Sequence, residues 1–471
     1  MLLYGRASGR SLSILGDHKP NWNAAVVLFL LCSTASIPVP GQTVTTLVNF
    51  RGPDGAYPGY GPLVQGIDGQ LYGITEAGGD TNSGAVFSIT PQGQLISVNS
   101  LNGADGADPL GRLVIIPNGM FYGTAFSGGD EGENGTVIGF NPNGTLTSLH
   151  VFDGTDGANP FAGLVWAFNG MLYGTTSHGG AYGEGTIFQI TARGTLTTRY
   201  SFEATNGGDI SGLLQAADRL LYGTTSLGGP SNAGTIYTMS LTGTFATLHT
   251  FNVTDGSEPF AALIQGRDGN FYGTTDSGGA NNAGTVFQIT PAGILTTLHS
   301  FSFSDGSYPF SALVQGTDEN FYGTTSQGGA DNCGVIFQIS RSGAFTNLYS
   351  FGRPEGCTPR AGLVQDTNGS FYGTTWTGGS RKYGTVFKLS MGLGPFVRPL
   401  PFFGEVGEPV MILGTDLTGA TSVTFNGTPA SFTVQSPTAI KATVPSGATT
   451  GAIEVATPSG TVSSHAPFLV H

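Results

Sequence analysis

Apolar and polar residues alternate in short runs along most of the chain, and the runs end at Gly, Pro, Asn or Asp. Residues 262–301 show the pattern in one stretch: ALIQG (262–266), NFYGTT (270–275), GTVFQIT (284–290) and ILTTLHSF (294–301). Period-two runs rich in β-branched and aromatic residues, bounded by turn formers, predict strands. Arg267-Asp268-Gly269 and Pro291-Ala292-Gly293 are tight-turn compositions between them. The segments DSGGANNA and SFSDGSYPF are longer connections. No Ala/Leu/Glu/Lys-rich periodic stretch predicts a helix.

The same set of runs recurs. A Tyr-Gly pair stands at Tyr72, Tyr122, Tyr173, Tyr222, Tyr272, Tyr322 and Tyr372, at spacings of 50, 51, 49, 50, 50 and 50. That period is typical of propellers and arrays, and four hairpin-linked strands make one propeller blade. The seventh copy stops after GTVFKLS (384–390) without its fourth strand, whereas a matching strand, TVTTLVNF (43–50), precedes the first copy. A circle of seven blades, closed by that N-terminal strand, accounts for the offset and removes an exposed edge. An open solenoid would want capping units instead. The chain is therefore expected to be all-β, with a seven-bladed β-propeller over residues 43–390. Within FYGTT, Phe and Gly are expected on one face of a blade, with Tyr and the first Thr on the other. The glycine is expected to make room for a ring of the adjacent blade.

After a linker at 391–401, residues 402–471 switch to short strands at 8–12-residue spacing, which predicts a small immunoglobulin-like sandwich. This part resembles the IPT/TIG family, through Gly414-Thr415-Asp416-Leu417, Val423-Thr424-Phe425-Asn426-Gly427, Ala442-Thr443-Val444-Pro445 and Thr449-Thr450-Gly451. The array resembles the GloVer-type choice-of-anchor tandem repeats of secreted bacterial proteins. FYGTT-x-x-GG-x-x-x-x-GTVF-x-I-T carries that likeness, with DG-x-x-P-x-x-x-L-V-Q-G ahead of it. The resemblance implies export and attachment to a cell surface or matrix, and assigns no activity to particular residues. The chain departs from the anchor part of that family, since HAPFLVH has no apolar tail followed by bases.

Export also follows from the N-terminus. Arg6, Arg10 and Lys19 precede the apolar run AAVVLFLL (24–31) and the small residues Ser33-Thr34-Ala35, so residues 1–35 are expected to be a signal peptide. The alternative is an uncleaved N-terminal anchor. Removing the segment takes the formal net charge from −13 to about −15 and leaves no integral membrane segment. So acidic a surface does not suit nucleic acid.

Chemistry is sparse. No metal-binding Cys or His motif, nucleophile elbow or phosphate loop occurs. Asp54, Asp105, Asp156, Asp255 and Asp305 precede Gly in the loops between copies, and Glu355 stands at the same place. These carboxylates raise calcium as the one candidate cofactor, although Asp-Gly is equally a plain turn and no metal ligands are assigned. His150, His249 and His299 share one strand position, which reads as structural. Alternating strand direction puts the Gly-Gly loops and the Asp-Gly loops on one face. There Cys333 and Cys357 fall on neighbouring loops, which predicts a disulfide in an exported protein. The seventh copy deviates most on that face, with Arg353, Arg360, Trp376, Arg381, Lys382 and Tyr383. This basic, aromatic patch suits an anionic glycan or a partner's carboxylates. The competing reading pairs the bases with acidic loops nearby. The expected function is that of an exported, non-enzymatic binding or scaffold protein for an extracellular glycan or protein. The alternative is a carbohydrate-active or other hydrolytic enzyme.

Overall fold

A computed structural model describes residues 42–129, 132–142 and 144–471, so the expected signal segment, 1–35, lies outside the described residues. Those residues form an all-β protein without helices, and none of its elements is a helix long and apolar enough to cross a membrane. Seven antiparallel sheets account for the repeats. The fifth is typical: Ile264–Gln265, Phe271–Thr275, Thr285–Ile289 and Leu295–Ser300, paired in that order. The seventh takes its outer strand from the start of the chain. Thr43–Asn49 pairs antiparallel with Thr385–Ser390, from Thr43 opposite Ser390 to Asn49 opposite Thr385.

Successive sheets are joined by the same contacts. Tyr72, Tyr222, Tyr272 and Tyr322 lay their rings on Phe121, Phe271, Phe321 and Phe371 of the next sheet, with centroids 4.0–4.3 Å apart. Such pairs add about 0.5–1.5 kcal/mol each to the burial of the rings. Each of these tyrosine hydroxyls donates to the hairpin aspartate four residues earlier, Asp68, Asp218, Asp268 or Asp318, at 2.7–2.8 Å. Burial and that carboxylate keep the phenols neutral. From the same hairpins, Arg267 N–H donates to Gln315 of the next sheet and Thr317 N–H to Gln365. The seventh sheet makes the same bond with the first, from Thr367 N–H to Gln65 Oε1 at 3.3 Å. Tyr372 packs with Leu71 and Phe87 of the first sheet.

The glycine of FYGTT has another reason than the one expected. A Cβ at Gly273 would lie 2.6 Å from Phe287 Cζ and 2.8 Å from Leu263 Cδ2. Phe287 is its cross-strand partner in the same sheet, not a ring of the neighbouring one. The glycine lets that phenylalanine lie flat across its own sheet.

The C-terminal part is immunoglobulin-like. One sheet holds Arg398–Leu400, Pro409–Leu413, Ala439–Thr443 and Phe432–Ser436; the other holds Thr428–Pro429, Ser422–Phe425, Ile453–Thr457 and Gly460–Ser463. Val410, Ile412, Val423, Phe425, Ile440, Ile453 and Val455 fill the space between them. The immunoglobulin-like core draws on residues ahead of 402. Val397 is already in this core and Arg398–Leu400 pairs with Leu413–Met411, because Pro399 and its neighbours form an edge strand where a missing N–H is tolerated. The domain rests on the repeats through Thr438 Oγ1 to Ile67 O at 3.0 Å and Phe168 against Phe403 at 4.2 Å.

Candidate functional site

The connections entering each sheet meet at one place. In most copies one residue follows a proline at the same place in this connection: Leu110, Phe161, Phe260, Phe310 and Arg360, with Tyr60 in the first. Tyr60 touches Phe161 at 5.1 Å and Phe310 at 5.0 Å, and Phe260 stacks on Phe310 at 4.6 Å. These rings come from the first, third, fifth and sixth copies, so contact among them marks the point on which all the connections converge. The residues just before the prolines, Asp108, Asn159, Glu258, Tyr308 and Thr358, hold φ between 52° and 58°. A left-handed backbone at non-glycine residues costs energy, and this recurring one turns each connection inward.

Arg360 is the exception in this apolar set. Its guanidinium lies 3.8 Å from the Trp376 ring centre and 5.2 Å from that of Tyr60, and Nη1 donates to the Tyr60 hydroxyl at 2.6 Å. Trp376 Nε1 donates in turn to Glu76 Oε2 at 2.9 Å. Tyr57 continues the row, 5.3 Å from Trp376 and 5.9 Å from Tyr383. Of the six expected site residues, Arg360, Trp376 and Tyr383 are thus brought together by first-copy side chains. Arg353, Arg381 and Lys382 are exposed on the surrounding loops, with no ion pair among the described residues. The patch is therefore not uniformly basic, since Glu76, Glu258 and Asp276 surround Arg360.

Asp276 and Glu258 stand side by side, with Asp276 N–H donating to Glu258 O at 3.0 Å. Burial, and then the Glu258 charge, push the Asp276 carboxyl up to about 6, against the opposing pull of Ser277 and Arg360. The folded state thus holds a proton that the unfolded chain releases near pH 4, so this group's contribution to stability is lost as pH rises through about 6. Asp276→Asn should leave stability near pH 4 unchanged and raise it at pH 7 by on the order of 1 kcal/mol. Urea unfolding at the two pH values checks this, and an equal change at both would refute it.

Four of the Asp-Gly carboxylates are bonded within their turns, Asp54 accepting from Arg51 N–H. His150, His249 and His299 bond through Nε2 to Asp156, Asp255 and Asp305 at 2.7, 3.2 and 3.1 Å. Among the described residues no three His, Cys, Asp or Glu side chains gather as a metal site would need. Cys333 and Cys357 form a disulfide. It ties the sixth Gly-Gly loop to the connection that carries Arg360.

Sequence reading missed Tyr60, Glu76, Glu258 and Asp276. The signal was present in the residue that follows each proline, where six copies are apolar or lack the position and one is arginine.

The profile of the Gloeobacter/Verrucomicrobia repeat matches residues 92–267 and 242–429. The chain belongs to that repeat family. The IPT/TIG domain profile matches residues 398–470 of this Gloeobacter/Verrucomicrobia repeat protein. A search of curated proteins finds no match. Among solved structures, the repeat protein is similar to the extracellular domain of the hybrid two component system BT3049 from B. thetaiotaomicron. The two are 14% identical over 88% of this chain and 52% of that one, with a TM-score of 0.51. The repeat protein thus spans about half the length of that neighbour. It is also similar to a fungal alcohol oxidase of the AA5 family, solved in complex with copper. Here identity is 12% over 91% of this chain and 99% of that one, with a TM-score of 0.50. At such identities the likeness is one of fold.

Proposed function

We propose that this repeat protein is exported and acts as a non-enzymatic binding or scaffold protein, presenting the convergence of its connections to a glycan or protein at the cell surface or outside the cell. In this reading the seven sheets are the blades of a closed seven-bladed propeller. The pairing of Thr43–Asn49 with the seventh sheet and the Thr367–Gln65 bond support closure. Export rests on the N-terminal segment, and the neighbour of similar fold is itself an extracellular domain. The observation that carries the binding reading is Arg360, held between Trp376 and Tyr60. Aromatic walls with a few fixed polar groups are what small-ligand sites offer, and holding them in advance lowers the cost of binding. The reading requires no cofactor.

One observation favours the enzymatic alternative: Glu258 beside Asp276, whose carboxyl holds its proton to about pH 6 as a general acid's would. Glycan and surface-protein arrays, run with a reducing-sugar assay, separate the two. A ligand bound without turnover, and at least about tenfold more weakly by Arg360→Ala and Trp376→Ala, is the expected result. Turnover abolished by Asp276→Asn would replace this reading with the enzymatic one.

A further inference from the structure

The fourth copy breaks the rule of the connections in a way that leaves space. In the other six copies the glycine opening the third strand faces a proline Cδ, as Gly234 faces Pro259 and Gly284 faces Pro309. In the fourth connection the corresponding glycine, Gly185, faces Ile210 Cδ1, so Ile210 fills the proline's place. The next residue, Ser211, accepts a bond at its carbonyl from Thr175, as Ala261 does from Thr224 and Ser311 from Thr274. Ala261 and Ser311 stand two residues after their prolines, whereas Ser211 stands one after Ile210. The residue deleted between them is the one whose side chain would point to the centre. The deletion is visible in the spacing of 49 between Tyr173 and Tyr222.

A cavity of about 100 Å³ lies where that side chain is missing. Tyr60, Phe161, Phe260 and Phe310 wall it, with Ile210 and Ser211 on the fourth copy's side and Asp209 at its edge. At about 30 Å³ per water the space is that of some three waters, too small for a whole sugar or drug-sized molecule and enough for one functional group. The walls offer little hydrogen bonding. Ser211 Oγ already donates to Pro259 O at 2.9 Å, and the Tyr60 hydroxyl is taken by Arg360. What remains is four ring surfaces and one exposed carboxylate, Asp209, whose oxygens accept no bond among the described residues. Glu258 and Asp276 add negative charge on the neighbouring copy, while Arg360 is held on Trp376 and Tyr60. Ring faces carry negative potential, so an aromatic box with an acid at its mouth favours a cation wearing an apolar shell.

We propose that this cavity binds an organic ammonium group of the trimethylammonium type, free or carried on a larger partner. The inference rests on reading the convergence of the connections as a binding site and names the chemistry it takes. The probes are choline and its uncharged isostere 3,3-dimethyl-1-butanol, each titrated into the full chain by calorimetry and by aromatic proton shifts. Choline is expected to bind and the isostere to bind at least about tenfold more weakly, the difference a desolvated cation–ring contact makes. Asp209→Asn keeps a residue that tolerates φ near 55° and should weaken choline by about threefold without touching the isostere. Phe310→Leu should remove the preference for choline while keeping the cavity apolar. A trimethyllysine peptide that binds more tightly than choline would identify a macromolecular carrier, and one that fails beside choline would identify a free ligand. Equal binding of choline and isostere, or binding of neither, overturns the proposal. If array ligands still depend on Arg360 in that event, only the ammonium assignment falls.

Discussion

A chain beginning after Phe50 should fold poorly, with a thermal midpoint lower by on the order of 10 °C and its losses concentrated in the seventh sheet. The truncation removes the whole partner of Thr385–Ser390, from Thr43 opposite Ser390 to Asn49 opposite Thr385. It also strips the core of Phe50, which is fully buried and packs edge-on against Phe87 at 5.0 Å, and of Val48. Losing a buried phenylalanine costs about 3–5 kcal/mol, and a buried valine adds about 1.5–3. That is a large share of the roughly 5–15 kcal/mol by which a folded domain is stable. The truncation further leaves the Thr385–Ser390 strand as a bare edge, so the shortened chain should self-associate. Amide exchange localises the effect: protection should fall first at 385–390, and adding a peptide of residues 42–52 should restore it. An unchanged midpoint would mean that the first strand is an accessory and that the seven sheets hold together without it.

The same offset of one strand was legible in the sequence. Strand position follows from local pattern, so Phe271–Thr275 and Thr285–Ile289 fall within NFYGTT and GTVFQIT as expected. The missing fourth strand follows from counting strands along the chain, seven of each type once TVTTLVNF (43–50) is included. What depended on which side chain meets which was harder. The glycine of FYGTT makes room for a ring, but the ring it admits, Phe287, lies across the same sheet. The convergence of Tyr60, Phe161, Phe310 and Arg360 joins residues up to 300 positions apart, and no local period points to it. Its trace is a single column, the residue after each proline, in which the arginine and the fourth-copy deletion are the informative departures. Arg353, Arg381 and Lys382 are departures from the repeat in the seventh copy's loops, and the structure leaves them exposed there, while the acids Glu76, Glu258 and Asp276 set the field around Arg360.

Replacing both Cys333 and Cys357 by alanine should cost about 3 kcal/mol of stability, the loop-closure contribution for a bridge spanning 24 residues. The guanidinium unfolding midpoint should fall and the slope should rise slightly, since the unfolded chain without its cross-link is more expanded and exposes more surface. The fold should survive, because the loops are also joined without the sulfurs: Thr358 N–H donates to Cys333 O at 2.9 Å and Cys357 N–H to Thr377 O at 2.8 Å. The consequence for the site is local. Arg360 follows Cys357 by three residues, and Trp376 precedes Thr377, so the bridge and these two bonds set how closely the guanidinium lies on the indole. Without the bridge the 3.8 Å stack should loosen and the emission of Trp376 should shift, in a folded protein whose far-ultraviolet spectrum is unchanged. Reduction of the wild-type protein should reproduce both effects, and Arg360→Ala should remove the fluorescence change while leaving the stability loss intact. An unaltered midpoint in the double variant would show that the remaining contacts between the sixth and seventh copies suffice without the bridge.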